Sequence, residues 1–186
     1  MPKPQQANLS TNQIALAGAN VIPSDAAKLR FEAAFLQIQL QQLAGSLGPT
    51  NDFIISQPIE RIALDLFTPD TLLPIGWYSI KMADHTVYIS ATEKSGIFYG
   101  IQTLLQSIKP SLGADLIAPE FEVEGDFPQF SWRGMHLDVS RHFFPVDFIY
   151  SYIARFAINK MNVFNLHRND DQGWRIEIKK FAKLTE

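Results

Sequence analysis

Apolar residues recur at helical spacing from Val146 to Asn159, between two short, mostly apolar stretches, Met135 to Ser140 and Asn162 to Leu166, that read as strands. Strand, helix and strand in this order make a βαβ unit. A crossover helix leaves its two strands parallel, so the loops after both strands open on the same edge of the sheet. Arg141 and His142 follow the first strand, and His167, Asp170 and Asp171 follow the second. The pattern therefore predicts a cluster of ionisable side chains on one edge. In a barrel built from such units, that edge is the catalytic face.

Before Asp126 the pattern is different. Pro23-Ser24-Asp25 predicts a helix start with Ser24 as its cap, and Leu29, Ala33, Leu36, Leu40 and Leu43 then form one apolar stripe that ends near Gly45. Ile62 to Phe67 alternates as a strand does. Tyr78, Ile80 and Met82 are answered by Val87, Ile89 and Ala91 across a turn at Ala83 to Thr86, where Asp84 and His85 are suitable turn residues, so a hairpin is expected. Gly96 to Ile108 places Ile97, Ile101, Leu104, Leu105 and Ile108 on one helical face, and Pro110 prevents its continuation. Phe121 and Val123, set between Glu120, Glu122 and Glu124, predict a last strand with one wet face.

These elements predict a small α+β domain over residues 1–127, an antiparallel sheet with helices on one face. Gly125-Asp126-Phe127-Pro128 is its natural linker to a second part over residues 128–186. That second part holds one βαβ unit and little else, and a parallel pair cannot cover both faces or satisfy both edges alone. It must pack on the first domain, or the natural polypeptide continues beyond Glu186. Made alone, the chain is expected to be mobile after about Phe127, to self-associate through such an edge or to swap partners between chains.

Composition narrows the function classes. The chain has 186 residues, 46% of them hydrophobic, and a net charge of −3. With no long basic run, it is not expected to bind nucleic acid. No apolar run reaches membrane-spanning length, so no membrane partner is expected. Met1 to Ser10 is polar and contains proline, so no signal peptide is expected in this chain, which leaves the compartment unassigned, periplasmic or secreted export included. Zero cysteines exclude disulfides and thiolate metal sites.

Four ordered motifs carry a resemblance. They are Trp132-Arg133-Gly134, then Leu137 to Val146 (LDVSRHFFPV), then Asn159 to Phe164 (NKMNVF), and Asp170 to Arg175 (DDQGWR). Together they resemble the opening of the family 20 glycoside hydrolases, the β-N-acetylhexosaminidases. Gly96 to Leu104 resembles a helix of the small α+β domain that precedes their catalytic barrel. The resemblance implies a (β/α)8 TIM barrel, here cut after about two strands, and exo-hydrolysis of terminal β-linked N-acetylglucosamine or N-acetylgalactosamine. It also implies a retaining mechanism in which the sugar's own acetamido oxygen attacks the anomeric carbon.

Carried over by position, Arg141 matches the arginine that holds hydroxyls 3 and 4 of the terminal sugar. Asp170 matches the aspartate that supports the catalytic acid through a histidine further along the barrel. His167 matches the second histidine of the family's His-Trp-His, which is Asn165-Leu166-His167 in this chain. The catalytic Asp-Glu pair follows the fourth strand in the family and has no counterpart here, so the chain alone is expected to be inactive. The resemblance implies no cofactor and no metal, and a glycan containing N-acetylhexosamine as the partner.

Other roles compete for several residues. Arg133 is expected to make a structural ion pair, Asp138 is either its partner, the favoured reading, or a site residue, and His136 is expected to be a hydrogen-bonded core histidine. Trp174 suits a packing anchor or a sugar platform, and Asp171 is expected to hold its loop. His167 with Asp170 and Asp171 also suits a metal-dependent hydrolase, at loose ligand spacing. A non-catalytic glycan-binding or assembly module is the main alternative to a hydrolase.

Overall fold

The computed structural model describes residue 4 and residues 7–16, 18–45, 57–69, 71–109 and 116–184. The chain divides into two compact units, Lys3–Gln129 and Phe130–Glu186. In the first, the elements run β1 (Ala7–Ala15), β2 (Asn20–Pro23), α1 (Arg30–Gly45), β3 (Gln57–Pro58), β4 (Arg61–Leu66), β5 (Tyr78–Ala83), β6 (Thr86–Ala91), α2 (Lys94–Ser107) and β7 (Ile117–Asp126).

The hairpin forms in the register that the alternation predicts, with Tyr78 opposite Ala91, Ile80 opposite Ile89 and Met82 opposite Val87. Its turn residues Asp84 and His85 have φ of 49° and 57°. Left-handed backbone at both central positions matches the right-handed twist of the strands, which is why a two-residue turn of this kind closes a hairpin.

The sheet is mixed, not antiparallel as expected. Its seven strands lie in the order β2-β4-β6-β5-β7-β1-β3. The pairs β2–β4, β4–β6 and β1–β3 are parallel. The reason is the connections: α1 carries the chain from β2 towards β4, and a crossover of this type returns the next strand in the same direction. Alternation identifies strands but says nothing about which of them pair.

Ser24 does not cap α1. Its N–H continues the parallel pairing by donating to Leu64 O, and its Oγ accepts the N–H of Leu66. The chain then turns at Asp25, whose Oδ1 accepts the N–H of Lys28, and α1 begins only at Arg30. Within the helix the expected stripe holds at Leu36 and Leu40, with Leu29 buried just before it, while Leu43 is exposed. Pro110 lies outside the described residues. The helix α2 has already ended at Ser107, with Ile108 in extended backbone.

Both helices cover one face. Against Ile62 and Leu64 of β4, Ile80 of β5 and Val87 and Ile89 of β6, the helix α2 sets Ile97, Ile101 and Leu104, all 0% exposed. Each such side chain contributes about 1.5–3 kcal/mol when fully buried. Gly100 makes the close approach possible, since a Cβ there would lie 2.5 Å from Ile89 Cγ2. The opposite face carries Ser79, Lys81, Tyr88, Ser90 and the glutamates of β7, and Asn8 and Asn12 of β1 donate to Glu124 and Glu120.

The chain leaves the first unit through a fixed exit. Trp77 lies against Gly125, where a Cβ would come 2.7 Å from the indole nitrogen. Tyr78 donates its hydroxyl to Asp126 Oδ2 at 2.7 Å and lies 2.7 Å from Thr103 Oγ1. Burial, reinforced by the Asp126 carboxylate and opposed by Thr103, pushes the phenol far above its ordinary pKa, so it stays a donor. Gly76, packed against the Pro128 ring, donates its N–H to Glu93 Oε1 at 2.6 Å.

The second unit contains β8 (Gly134–Asp138), α3 (Val146–Ile158), β9 (Val163–His167), the short hairpin strands β10 (Asn169–Asp170) and β11 (Gly173–Trp174), and a 3-10 stretch over Lys179–Leu184. The strands β8 and β9 are parallel, with Gly134 opposite Val163 and Asp138 opposite His167. Aromatic side chains seat α3: Tyr152 and Phe156 meet the ring of Phe164, with centroids 5.8 and 6.0 Å away.

Candidate active-site edge at the ends of two parallel strands

The register of β8 against β9 delivers Asp138 and His167 side by side at the ends of their strands. The N–H of Val139 donates to His167 O at 3.0 Å and extends the pairing by one step. Asp138 then folds the chain back on itself, because its Oδ1 accepts the N–H groups of Ser140 and Arg141 at 2.9 and 3.0 Å. A short carboxylate bonded to amides two and three residues ahead is an efficient turn former.

That turn aims Arg141 at the hairpin after β9. Its Nη2 lies 2.9 Å from Asp170 Oδ2, and its Nη1 lies 3.5 Å from Asp138 Oδ2. The other oxygen of Asp170 accepts the N–H of Asp171 at 2.9 Å. His167 Nε2 stands 3.4 Å from Asp170 Oδ2 without hydrogen-bond geometry, and this buried nitrogen has no hydrogen-bond partner among the described residues.

Both carboxyl groups are held below the ordinary carboxylate range. For Asp138 the largest cause is the Arg141 N–H, with Ser140, His167 and Arg141's charge assisting. For Asp170 it is the Asp171 N–H, followed by His167 and Arg141. Burial opposes the shift in both cases. The edge is thus a guanidinium fixed by two ionised carboxylates, with its side chain still 64% exposed. A guanidinium has five donors. Those not facing the carboxylates remain available to neighbouring hydroxyl groups.

Of the expected residues, Arg141, His167 and Asp170 come together. Asp171 sits in the hairpin turn, while His142 is exposed and takes no part in this network. Of the two roles open to Asp138, the favoured pairing with Arg133 is corrected, and Asp138 lies with Arg141 instead. Arg133 lies just before β8, where its guanidinium donates to the carbonyls of Lys160 and Phe130. Asp138, at the opposite end, belongs to the Arg141 cluster. The spacing Asp138-Val139-Ser140-Arg141 carried the signal, since it places two amides within reach of one carboxylate.

His136 is also corrected: it is exposed rather than buried in a core, although its Nδ1 does meet Asn165 Oδ1 at 3.1 Å. Trp174 donates its indole N–H to Ile176 O, which anchors the ring. Two shallow cavities, of about 250 and 400 Å³, open on the helix-free face of the first unit's sheet, and no residue of the strand-end cluster lines them.

Comparison with known proteins bears on both units. Residues 130–186 match the model of the glycosyl hydrolase family 20 catalytic domain, and residues 1–124 match that of the family's domain 2. An N,N'-diacetylchitobiase of Vibrio harveyi is 30% identical over 187 residues, covering 100% of this chain and 20% of that protein. A beta-N-acetylhexosaminidase of Cellulomonas fimi is 38% identical over 108 residues, 58% of this chain and 22% of that protein. Among solved structures, a GH20 exo beta-N-acetylglucosaminidase from Vibrio harveyi in complex with N-acetylglucosamine superposes with a TM-score of 0.79 at 28% identity, over 99% of this chain and 27% of that one. The chain spans about a fifth of the length of the curated relatives it matches. With one family model matching most of the first unit and another the whole of the second, the chain belongs to glycosyl hydrolase family 20.

Proposed function

We propose that this chain is the N-terminal part of an exo-acting β-N-acetylhexosaminidase, in which Arg141 holds the terminal sugar. The observation that carries the reading is the Arg141 guanidinium, fixed by Asp138 and Asp170 at the ends of parallel strands and still open on one side. A rigid planar fork suits two adjacent hydroxyls, which a lysine could not span in the same way. Crystallised relatives hold N-acetylglucosamine, which supports a sugar of this class as ligand.

In this reading β8, α3 and β9 open a (β/α)8 barrel, and the edge that carries Arg141 is its catalytic face. The acetamido oxygen of the bound sugar attacks the anomeric carbon while a glutamic acid, outside this chain, protonates the departing glycosidic oxygen. Water then opens the resulting oxazolinium ion with retained configuration. Asp170 and His167 support the acid's protonation, and Asp170 also fixes Arg141.

The test uses the longer polypeptide that contains this sequence, assayed with a chromogenic N-acetylglucosaminide. Hydrolysis with retention, strongly reduced in Arg141→Ala, is the expected result. Absence of turnover, or turnover indifferent to Arg141, overturns the reading.

A further inference from the structure

Every backbone polar group on the approach to Arg141 is occupied, and Arg175 occupies two of them. Val139 donates to His167 O, and the Ser140 and Arg141 N–H groups donate to Asp138. The remaining carbonyls, those of Val139 and Ser140, accept from Arg175 Nε at 3.0 Å and Nη2 at 3.4 Å. Arg175 stands just after the β10–β11 hairpin, whose loop it closes by donating its own N–H to Arg168 O at 2.9 Å. One guanidinium therefore ties the loop bearing Arg141 to the hairpin bearing Asp170.

Two further contacts make the tie specific. The buried Ser140 hydroxyl donates to Gly173 O. The glycine itself fits only without a side chain, since a Cβ at Gly173 would lie 2.8 Å from Ser140 O and 3.1 Å from Arg175 Nη2. Phe143 backs the Arg175 guanidinium, its ring centroid 5.5 Å away.

We infer that Arg175, with Gly173 and Ser140, is a positioning residue that fixes the direction of Arg141. The inference rests on the reading of Arg141 as the sugar-hydroxyl ligand. The two guanidinium nitrogens that bond, Nε and Nη2, hold main-chain carbonyls of the loop that carries Arg141, so their effect falls on the direction of Arg141. A fork that grips adjacent hydroxyls loses most of its value when misaimed by a small distance, because its donors are planar and fixed relative to one another.

The experiment uses the full-length enzyme, with Arg175→Met, Arg175→Lys and Gly173→Ala each made in the parent and in Arg141→Ala. Substrates are an ordinary N-acetylglucosaminide and its 4-deoxy analogue. Arg175→Met is expected to lower kcat/KM on the ordinary substrate about tenfold, mainly through KM, and to change it less than about twofold on the 4-deoxy analogue or without Arg141. Arg175→Lys, which retains a donor, recovers part of the loss. Gly173→Ala follows the same pattern by crowding Ser140. Equal losses on both substrates and in both backgrounds would show a merely structural residue and overturn the inference, as would no loss at all. An Arg141→Ala enzyme with unchanged kcat/KM would instead remove the underlying site reading, and this inference with it.

Discussion

Arg141 and Asp170 meet at 2.9 Å although 29 residues separate them in sequence. One closes the loop after β8 and the other lies in the hairpin after β9, so their contact joins two loops that parallel strands have brought to one edge. Asp138 completes the arrangement from the end of β8.

Replacing the fork is the direct test of Arg141. In the full-length enzyme, Arg141→Lys is expected to lower kcat/KM by an amount equivalent to about 2 to 4 kcal/mol, the scale of losing charged hydrogen bonds. Steady-state kinetics decide it. An unchanged ratio takes Arg141 out of the site.

The isolated chain of 186 residues is expected to give no turnover of a chromogenic N-acetylglucosaminide, because no adjacent Asp-Glu pair occurs in it. Robust hydrolysis by the purified chain, free of host enzyme, would defeat the mechanism proposed here.

Acid should loosen the strand-end cluster. Asp138 and Asp170 are both held below the ordinary carboxylate value of 3.8. Their contribution to stability is therefore complete above that value and is lost as the pH falls through the lower folded-state values. Urea midpoints compared between about pH 5 and about pH 2.5 should fall less in Asp138→Asn and Asp170→Asn than in the parent. Equal falls in all three proteins would mean that neither carboxylate is held down by the fold.

Tyr78→Phe removes the hydroxyl that Asp126 accepts from inside the first unit. The expected cost is about 1 to 3 kcal/mol, that of leaving a buried polar group short of its donor. Denaturant titration of the chain measures it, and a change within error would show that the bond contributes nothing net.

The second unit should associate. Among the described residues β8 and β9 pair only with each other, and Phe130, Trp132 and Tyr150 are each 67% exposed. Unpaired edges beside apolar rings favour contacts between chains. Sedimentation of the chain across a concentration series should show reversible growth in mass. A monomer at every concentration would contradict this.

Much of this was legible in the residues, for identifiable reasons. Ile97, Ile101 and Leu104 announced α2 because a half-buried helix repeats its apolar positions. The hairpin was fixed by period-two alternation around Asp84 and His85, and the βαβ unit by two apolar runs flanking a helix. What escaped depends on distant partners. In β1, residues 7–13 are exposed and only Ile14 and Ala15 are buried, so its first part shows no alternation. The strand β2 has no signal of its own in the pattern, and its end at Pro23 reads as a helix start because Ser24-Asp25 has the composition of a cap, while the bonds of Ser24 go to Leu64 and Leu66. For Asp138 the reason is similar: charge favours Arg133 as its mate over a place in the site, and only the turn that it makes itself reveals Arg141.

The fixed exit of the first unit bears on how such proteins can be cut and recombined. Residues 125–129 fall between the two stretches matched by family models and would pass for a neutral joint. Yet Gly125, Asp126 and Pro128 are held by Trp77, Tyr78 and Gly76, three consecutive residues from far upstream. A chimera spliced at residue 124 would strip the donor half of its anchor and leave the Tyr78 hydroxyl facing a foreign side chain. Spliced after Pro128, the same graft carries the whole joint with the half that built it, so the transferable module ends where those contacts end, not where the sheet does.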